Sequence, residues 1–256
     1  MNHDSRVGPA RNCSCVQSIP QATGATLGLL PHTEGPPAYS IWPPGRTVVT
    51  LPSVFPVQTT RATVLFADMR GYTGLAEKLP PARVVPLLDE FFGVLASATA
   101  AYGGEVFHMA GDGMMAGFGV RDPDQQGAGE ALAAGRAMLQ RFSLVSARWQ
   151  RECSIATGIG VGLHLGEVAL GLLGPPGKRT VTLVGDTANV AARLCGRARN
   201  GEVLFSSTVA AALGARDDLG PAIGGAAFLL LPRFALRGRS GLLDIWCVPA
   251  AQRLVL

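Results

Sequence analysis

The sequence has no strongly charged segment of either sign. Its 22 basic and 18 acidic side chains leave a formal charge of +4. No arginine-rich run or aromatic-interleaved basic strip accompanies that excess, so nucleic acid is not an expected partner. Pairs of Cys-x-x-Cys elements are also lacking. The five cysteines, Cys13, Cys15, Cys153, Cys195 and Cys247, are scattered and odd in number, which argues against a zinc site and for reduced thiols in a cytoplasmic setting. The opening residues, Met1 to Arg6, lead into no apolar core of a signal peptide. No apolar run approaches the ~20 residues of a membrane span; the one through Leu229, Leu230 and Leu231 breaks at Pro232. No internal repeat is visible. What remains is a chain of 256 residues, 48% hydrophobic, long enough to bury a full core.

Texture divides it in two. Residues 1–46 are rich in Pro, Gly, Ser and Thr without a period of 2 or 3.6, the pattern of a flexible arm. Residues 47–256 read as a folded domain. Ala62 to Phe66 is a buried strand by length and by its β-branched and aromatic content. After a turn at Gly71 come a short helix and a longer one, in which Leu88, Phe91, Phe92, Leu95 and Thr99 share a face. Pro86 belongs in its first turns or kinks it, and Gly103-Gly104 ends it. Residues 105–109 and 114–118 flank a turn at Gly111-Asp-Gly113 as a hairpin. A second long helix spans roughly Ala128 to Trp149. Residues 155–165 form a strand with one face of small residues, open to close approach by another backbone. A third helix follows Gly185, and 203–205 and 243–248 are closing strands. Strand, helix, hairpin, helix, strand is the α+β, ferredoxin-like βαββαβ order, which predicts a central, mostly antiparallel sheet with flanking helices.

Asp68 and Asp112 each follow an apolar run and precede glycine-bearing turns, which places both carboxylates at the rim of the sheet. Two such acids in proximity repel and raise one pKa unless a cation sits between them. Mg²⁺ or Mn²⁺ resolves the repulsion and leaves positions for phosphate oxygens. Two ions per site would activate an attacking hydroxyl and neutralise a departing pyrophosphate. The turn Gly71, Tyr72, Thr73 opens a helix whose free N–H groups favour phosphate. Asn189 and Arg193 lie four apart on one helix face. An Arg there suits charge growing on phosphoryl oxygens, through its fork of donors.

These segments resemble the class III adenylate/guanylate cyclases. The blocks are Phe66-x-Asp68-Met-x-Gly71-Tyr-Thr73, Gly111-Asp112-Gly-Met-Met-Ala-Gly-Phe118, His164-Leu-Gly-Glu-Val168 and Val184-Gly-Asp-Thr-Ala-Asn-Val-Ala-Ala-Arg193, in the family's order. The resemblance covers roughly Thr47 to Val248 and implies a nucleotide cyclase domain over 47–256. It implies that Asp68 and Asp112 are the metal pair and that Met69 offers its backbone carbonyl. Asn189 and Arg193 resemble the transition-state pair, donated by the other subunit of a head-to-tail homodimer. Arg237 stands where the family carries a triphosphate-binding Lys. At the adenine-reading positions this chain has His108 and Thr182. Thr is an acceptable variant there, whereas His108 departs from the family's Lys, and an imidazole's donor capacity changes with protonation near pH 6–7. Neither position carries the Glu or Cys that resemble guanylate cyclases, so the reaction implied is ATP to 3′,5′-cyclic AMP and pyrophosphate. Two alternatives stay open: a guanylate or mixed-specificity cyclase, and a non-catalytic nucleotide-binding dimerisation module, for which His108 is the best support.

Other phosphate-binding patterns fail. The run ending Gly177-Lys178-Arg179 has Leu172 where a P-loop needs its first Gly and Arg179 where it needs Ser or Thr; it reads as a hairpin loop with Lys178 and Arg179 exposed. Gly158, Gly160 and Gly162 lie on a strand with no helix after it, so a dinucleotide fingerprint is rejected. Asp186 is expected to cap a helix, and His164 to be structural. For His108, a satisfied core or interface histidine and a base contact are equally weighted. No sensor domain is recognisable.

Overall fold

The computed structural model describes residues 56–122, 125–176, 178–214, 228–235 and 242–249. The expected arm at 1–46, Cys13, Cys15 and Arg237 lie outside the described residues.

The first half runs β1 (Gln58–Arg70), α1 (Tyr72–Lys78), α2 (Pro81–Ala101), β2 (Glu105–Ala110), β3 (Gly113–Phe118), α3 (Ala128–Cys153) and β4 (Gly158–Leu173). Then come β5 (Thr180–Val184), α4 (Asp186–Arg197), β6 (Glu202–Ser206), α5 (Ser207–Ala212), β7 (Leu229–Ala235) and β8 (Leu242–Val248). One sheet holds them in the order β2-β3-β1-β4-β6-β8-β7, with β5 paired to β4 off that path. Its β2-β3-β1-β4 half is antiparallel throughout, which is the expected ferredoxin-like βαββαβ arrangement. β6 pairs parallel to β4, so the whole sheet is mixed.

Two strands outrun their sequence signals. β1 continues through Asp68, Met69 and Arg70 because each pairs across to β4, at Gly160, Ile159 and Gly158; ladder bonds override the polarity of those side chains. β4 starts later than expected and extends to Leu173, where it forms a hairpin with β5. Lys178 and Arg179 are exposed on that hairpin loop, as expected. α3 outlasts Trp149 and ends at Ser154, a non-glycine residue with φ 57°.

Alternation along β1 sorts the layers. Leu65, Ala67 and Met69 face α2 and α3, where Phe91, Leu95, Phe118, Leu132, Phe142 and Trp149 build the main core. Val64 and Phe66 face the other way, toward Val168, Leu170, Leu183 and Ala191, so Asp68 and Arg70 project on that second side. α2 starts at Pro81 and continues past Pro86 in its second turn. Contrary to the expectation that no span-length apolar run exists, α2 meets the length and composition of a membrane-crossing helix; its Val84, Leu87, Phe91 and Leu95 are buried in the core.

On the second side α4 lies almost backbone-to-backbone on β4. A Cβ placed on Gly162 would fall 2.1 Å from the Cys195 nitrogen and 2.3 Å from the Ala191 carbonyl, and one on Gly166 would fall 2.5 Å from Thr187 Oγ1. The small-residue face of this strand is therefore a bed for one helix.

Candidate active site

Backbone pairing sets the two acids. Asp68 lies opposite Gly113 in the β1–β3 ladder. Asp112 occupies the β2–β3 turn just before it, and its carbonyl accepts a 3.0 Å hydrogen bond from the Met69 N–H. Burial raises the Asp68 carboxyl above the ordinary carboxylate range, and the Asp112 charge raises it further. Arg70, ion-paired to Asp68, works in the opposite direction. The two acids therefore share one electrostatic environment and repel, as carboxylates do when they await a cation. The donors are oxygens only, and among the described residues no group of three or more His, Cys, Asp or Glu side chains converges. Such a set fits a hard divalent ion that takes its remaining ligands from backbone carbonyls, substrate or water. Nothing in it suits a soft metal.

Gly71 follows directly, at φ 87° as the N-cap of α1. A Cβ there would lie 2.6 Å from the Ala156 carbonyl, so both conformation and space demand glycine. Thr73 is exposed, whereas Tyr72 is half-buried against the main core and anchors the turn.

α4 carries the other candidate pair, Asn189 and Arg193. Its cap position is Gly185, with no side-chain capping bond, so Asp186 is the first helical residue and not the cap expected from sequence. Thr187 Oγ1 donates to the Glu167 carbonyl at 2.6 Å and fixes the helix start on β4. Asn189 is exposed. Arg193 is half-buried, and its Nη1 is buried without a hydrogen-bond partner among the described residues. The structure thus brings Asp68 and Asp112 together but pairs Arg193 with neither.

β5 packs beside β2 through Leu183 and Phe107. Thr182 is half-buried opposite Gly171 on β4. His108 is exposed, next to a register shift in β2, which removes the core-histidine reading; the interface and base-contact readings both take an exposed side chain. His164 bears out its structural reading: it is buried, with Nδ1 2.7 Å from Ser206 Oγ. Cys195 and Cys247 are free, buried thiols, whereas Cys153 is disulfide-bonded, a departure from the expectation of thiols throughout.

Residues 55–222 match the model of the adenylate and guanylate cyclase catalytic domain. The chain belongs to that family. Among its relatives is an adenylate cyclase of Anabaena cylindrica, 32% identical over 146 residues, which cover 54% of this chain and 27% of the relative. Adenylate cyclase 1 of Rhizobium meliloti is 28% identical over 195 residues, 75% of this chain. The cyclase domain thus spans about a quarter of the length of these curated relatives. Of solved structures, the adenylyl cyclase CyaB from P. aeruginosa superposes with a TM-score of 0.69 at 24% identity, covering 78% of this chain and 98% of that one. The guanylyl cyclase Cya2 gives 0.66 at 26% identity, covering 77% and 96%.

A candidate side chain that sequence reasoning missed in this cyclase domain is Arg70, which contacts both Asp68 and the end of α4. It sits inside the first motif, and its partners at the end of α4 are more than a hundred residues away in sequence. Nothing in a local pattern reports such a contact.

Proposed function

We propose that this cyclase domain, residues 47–256, converts ATP to 3′,5′-cyclic AMP and pyrophosphate at sites shared between two copies of the chain. The carrying observation is the electrostatic coupling of Asp68 to Asp112 on one subunit, whose Arg193 Nη1 is buried with no hydrogen-bond partner among the described residues. A buried unpaired donor is costly, and an acceptor brought by the second copy and its substrate would satisfy this one.

In this reading the ribose 3′-hydroxyl attacks the α-phosphorus in line. The new O–P bond forms as the bond to the β-phosphate oxygen breaks. Asp68 and Asp112, with the Met69 carbonyl, would hold two Mg²⁺ or Mn²⁺ ions, which when bound would lower the pKa of the hydroxyl and balance pyrophosphate charge. Gly71 and Thr73 present the start of α1 to the phosphates, with Tyr72 as its anchor. Asn189 of the second copy orients the ribose, and its Arg193 stabilises charge on the phosphoryl oxygens, a role worth roughly 10³-fold or more. His108 and Thr182 read the base, and Arg237 binds the triphosphate.

Mixing Asp68→Ala with Arg193→Ala tests the shared site. Each is inactive alone, and their heterodimer regains one intact site; failure of the mixture to recover activity refutes sharing. A second reading, guanylate or mixed specificity, is favoured by His108 standing where adenine selection uses Lys. Product formation from ATP against GTP with Mn²⁺ decides it, and a GTP preference overturns the adenylate assignment. Nucleotide binding without turnover at any pH would instead establish a non-catalytic module.

A further inference from the structure

Arg70 is placed to do more than balance the charge of Asp68. Two apart on β1, the two side chains project on the same side of the sheet. The guanidinium divides its donors three ways. Nη1 pairs with Asp68 Oδ2, Nη2 donates to the Cys195 carbonyl, and Nε donates to the Ala198 carbonyl at 3.0 Å. Cys195 is in the last turn of α4 and Ala198 is its C-cap; the Cys195 carbonyl already accepts a 3.1 Å bond from the Ala198 N–H, which it shares with the Leu194 carbonyl, and at this end of the helix the dipole favours a cation. The path is built for this side chain. A Cβ on Gly160 would fall 2.4 Å from Arg70 Nη2 and 2.8 Å from the Ala198 carbonyl. Cys195 Sγ donates to the Gly160 carbonyl at 3.2 Å and holds the same turn against β4. A lysine has no planar fork to span three acceptors.

The consequence follows from which site each end serves. On the shared-site reading above, Asp68 works in one site while Asn189 and Arg193 of the same chain work in the other. One guanidinium therefore joins the cation-binding end of the first site to the helix of the second. We propose that Arg70 is a positioning residue that couples the two sites: a divalent ion at Asp68 withdraws the carboxylate from Arg70, and the guanidinium then gives its full charge to the carbonyls at the end of α4, fixing Asn189 and Arg193 in the opposite site. Charge-assisted hydrogen bonds from an unneutralised cation are the stronger kind.

Two measurements on the full chain test this. In the first, Mn²⁺ binding is counted by electron paramagnetic resonance while hydrogen exchange is followed in residues 186–198. Mn²⁺ slows exchange in the last turn of α4 by about twofold or more in the parent. Arg70→Lys and Gly160→Ala still bind Mn²⁺ and lose that response. Bound Mn²⁺ with unchanged or faster α4 exchange in the parent overturns the coupling alone; absence of Mn²⁺ binding overturns the metal reading and this proposal with it. In the second, Arg70→Lys is added to the subunit carrying Asp68→Ala, and that subunit is paired with Arg193→Ala. The surviving site borrows α4 from the doubly substituted subunit, so kcat falls about tenfold with little change in KM. An unchanged kcat refutes action through α4.

Discussion

Replacing Gly162 with alanine is the most direct challenge to the account of how α4 is held. The added Cβ would meet the Cys195 nitrogen at 2.1 Å and the Ala191 carbonyl at 2.3 Å, both backbone atoms that no rotamer change can move. Carbon contacts settle at about 3.5 Å, so α4 must retreat from β4 by about 1 Å. Val190, Ala191, Leu194 and Cys195, all buried, retreat with it. Overpacking of this kind costs about 3 kcal/mol, the upper part of the usual range, which for a domain of this size lowers Tm by about 6–12 °C. Activity should fall further than stability, since about 1 Å of misplacement at Asn189 and Arg193 lowers rate about 10²-fold. Differential scanning calorimetry and a cyclic-nucleotide assay well below the new Tm measure the two effects separately. Gly93→Ala is the control: it lies in α2, where an added Cβ would meet nothing within 4 Å. Alanine there adds about 0.5–1 kcal/mol of stability. A Gly162→Ala protein whose Tm stays within about 2 °C of the parent, against the shift expected from overpacking, would refute the backbone-contact argument.

Further outcomes follow from the site. Because the folded state raises the Asp68 pKa, the associated stability is present at low pH and is lost as pH rises through the folded value. Without divalent ions, Asp68→Asn therefore melts higher than the parent at pH 7, and the gap closes on acidification; a parent that melts higher at pH 7 contradicts this. Mn²⁺ at ten times its Kd raises parent stability by about 1.4 kcal/mol and leaves Asp68→Asn unmoved, as read by thermal shift. Burial pushes the Cys195 thiol up to about 12 and the Cys247 thiol to about 11, so both stay protonated and resist iodoacetamide at pH 9 in the folded chain. Their share of stability is present below the unfolded thiol pKa and is lost as pH climbs through those values, and mass spectrometry finding either one alkylated at pH 9 sinks the point. His108→Lys raises the ratio of ATP to GTP turnover with Tm unchanged to about 1–2 °C; an unaltered ratio removes residue 108 from base selection.

Much of this architecture was legible in the residues because the signals were local. The stripe of Phe91, Leu95 and Thr99 marked a helix face, and the Gly111-Asp-Gly113 turn marked a hairpin. The glycines of β4 announced a close backbone approach without naming α4 as the visitor. Strand ends were less readable. Asp68 and Arg70 are polar, and only pairing with Gly160 and Gly158 on a distant strand makes them extended. β5 escaped notice because its alternating Thr180-Val-Thr-Leu183 is short and follows the turn-like run of Pro175, Pro176 and Gly177, and α5 because it is only six residues long. Arg70 shows the same limit in the site: its importance comes from Cys195 and Ala198, which no window around position 70 contains.

The irregular register at Val106 and His108 leaves position 108 facing outward while its neighbour Phe107 stays in the core. A side chain so placed owes nothing to packing, and almost any replacement there would be tolerated by the folded chain. If position 108 reads the base as proposed, selection on the nucleobase can proceed there without endangering the scaffold, an inexpensive route from one purine to another.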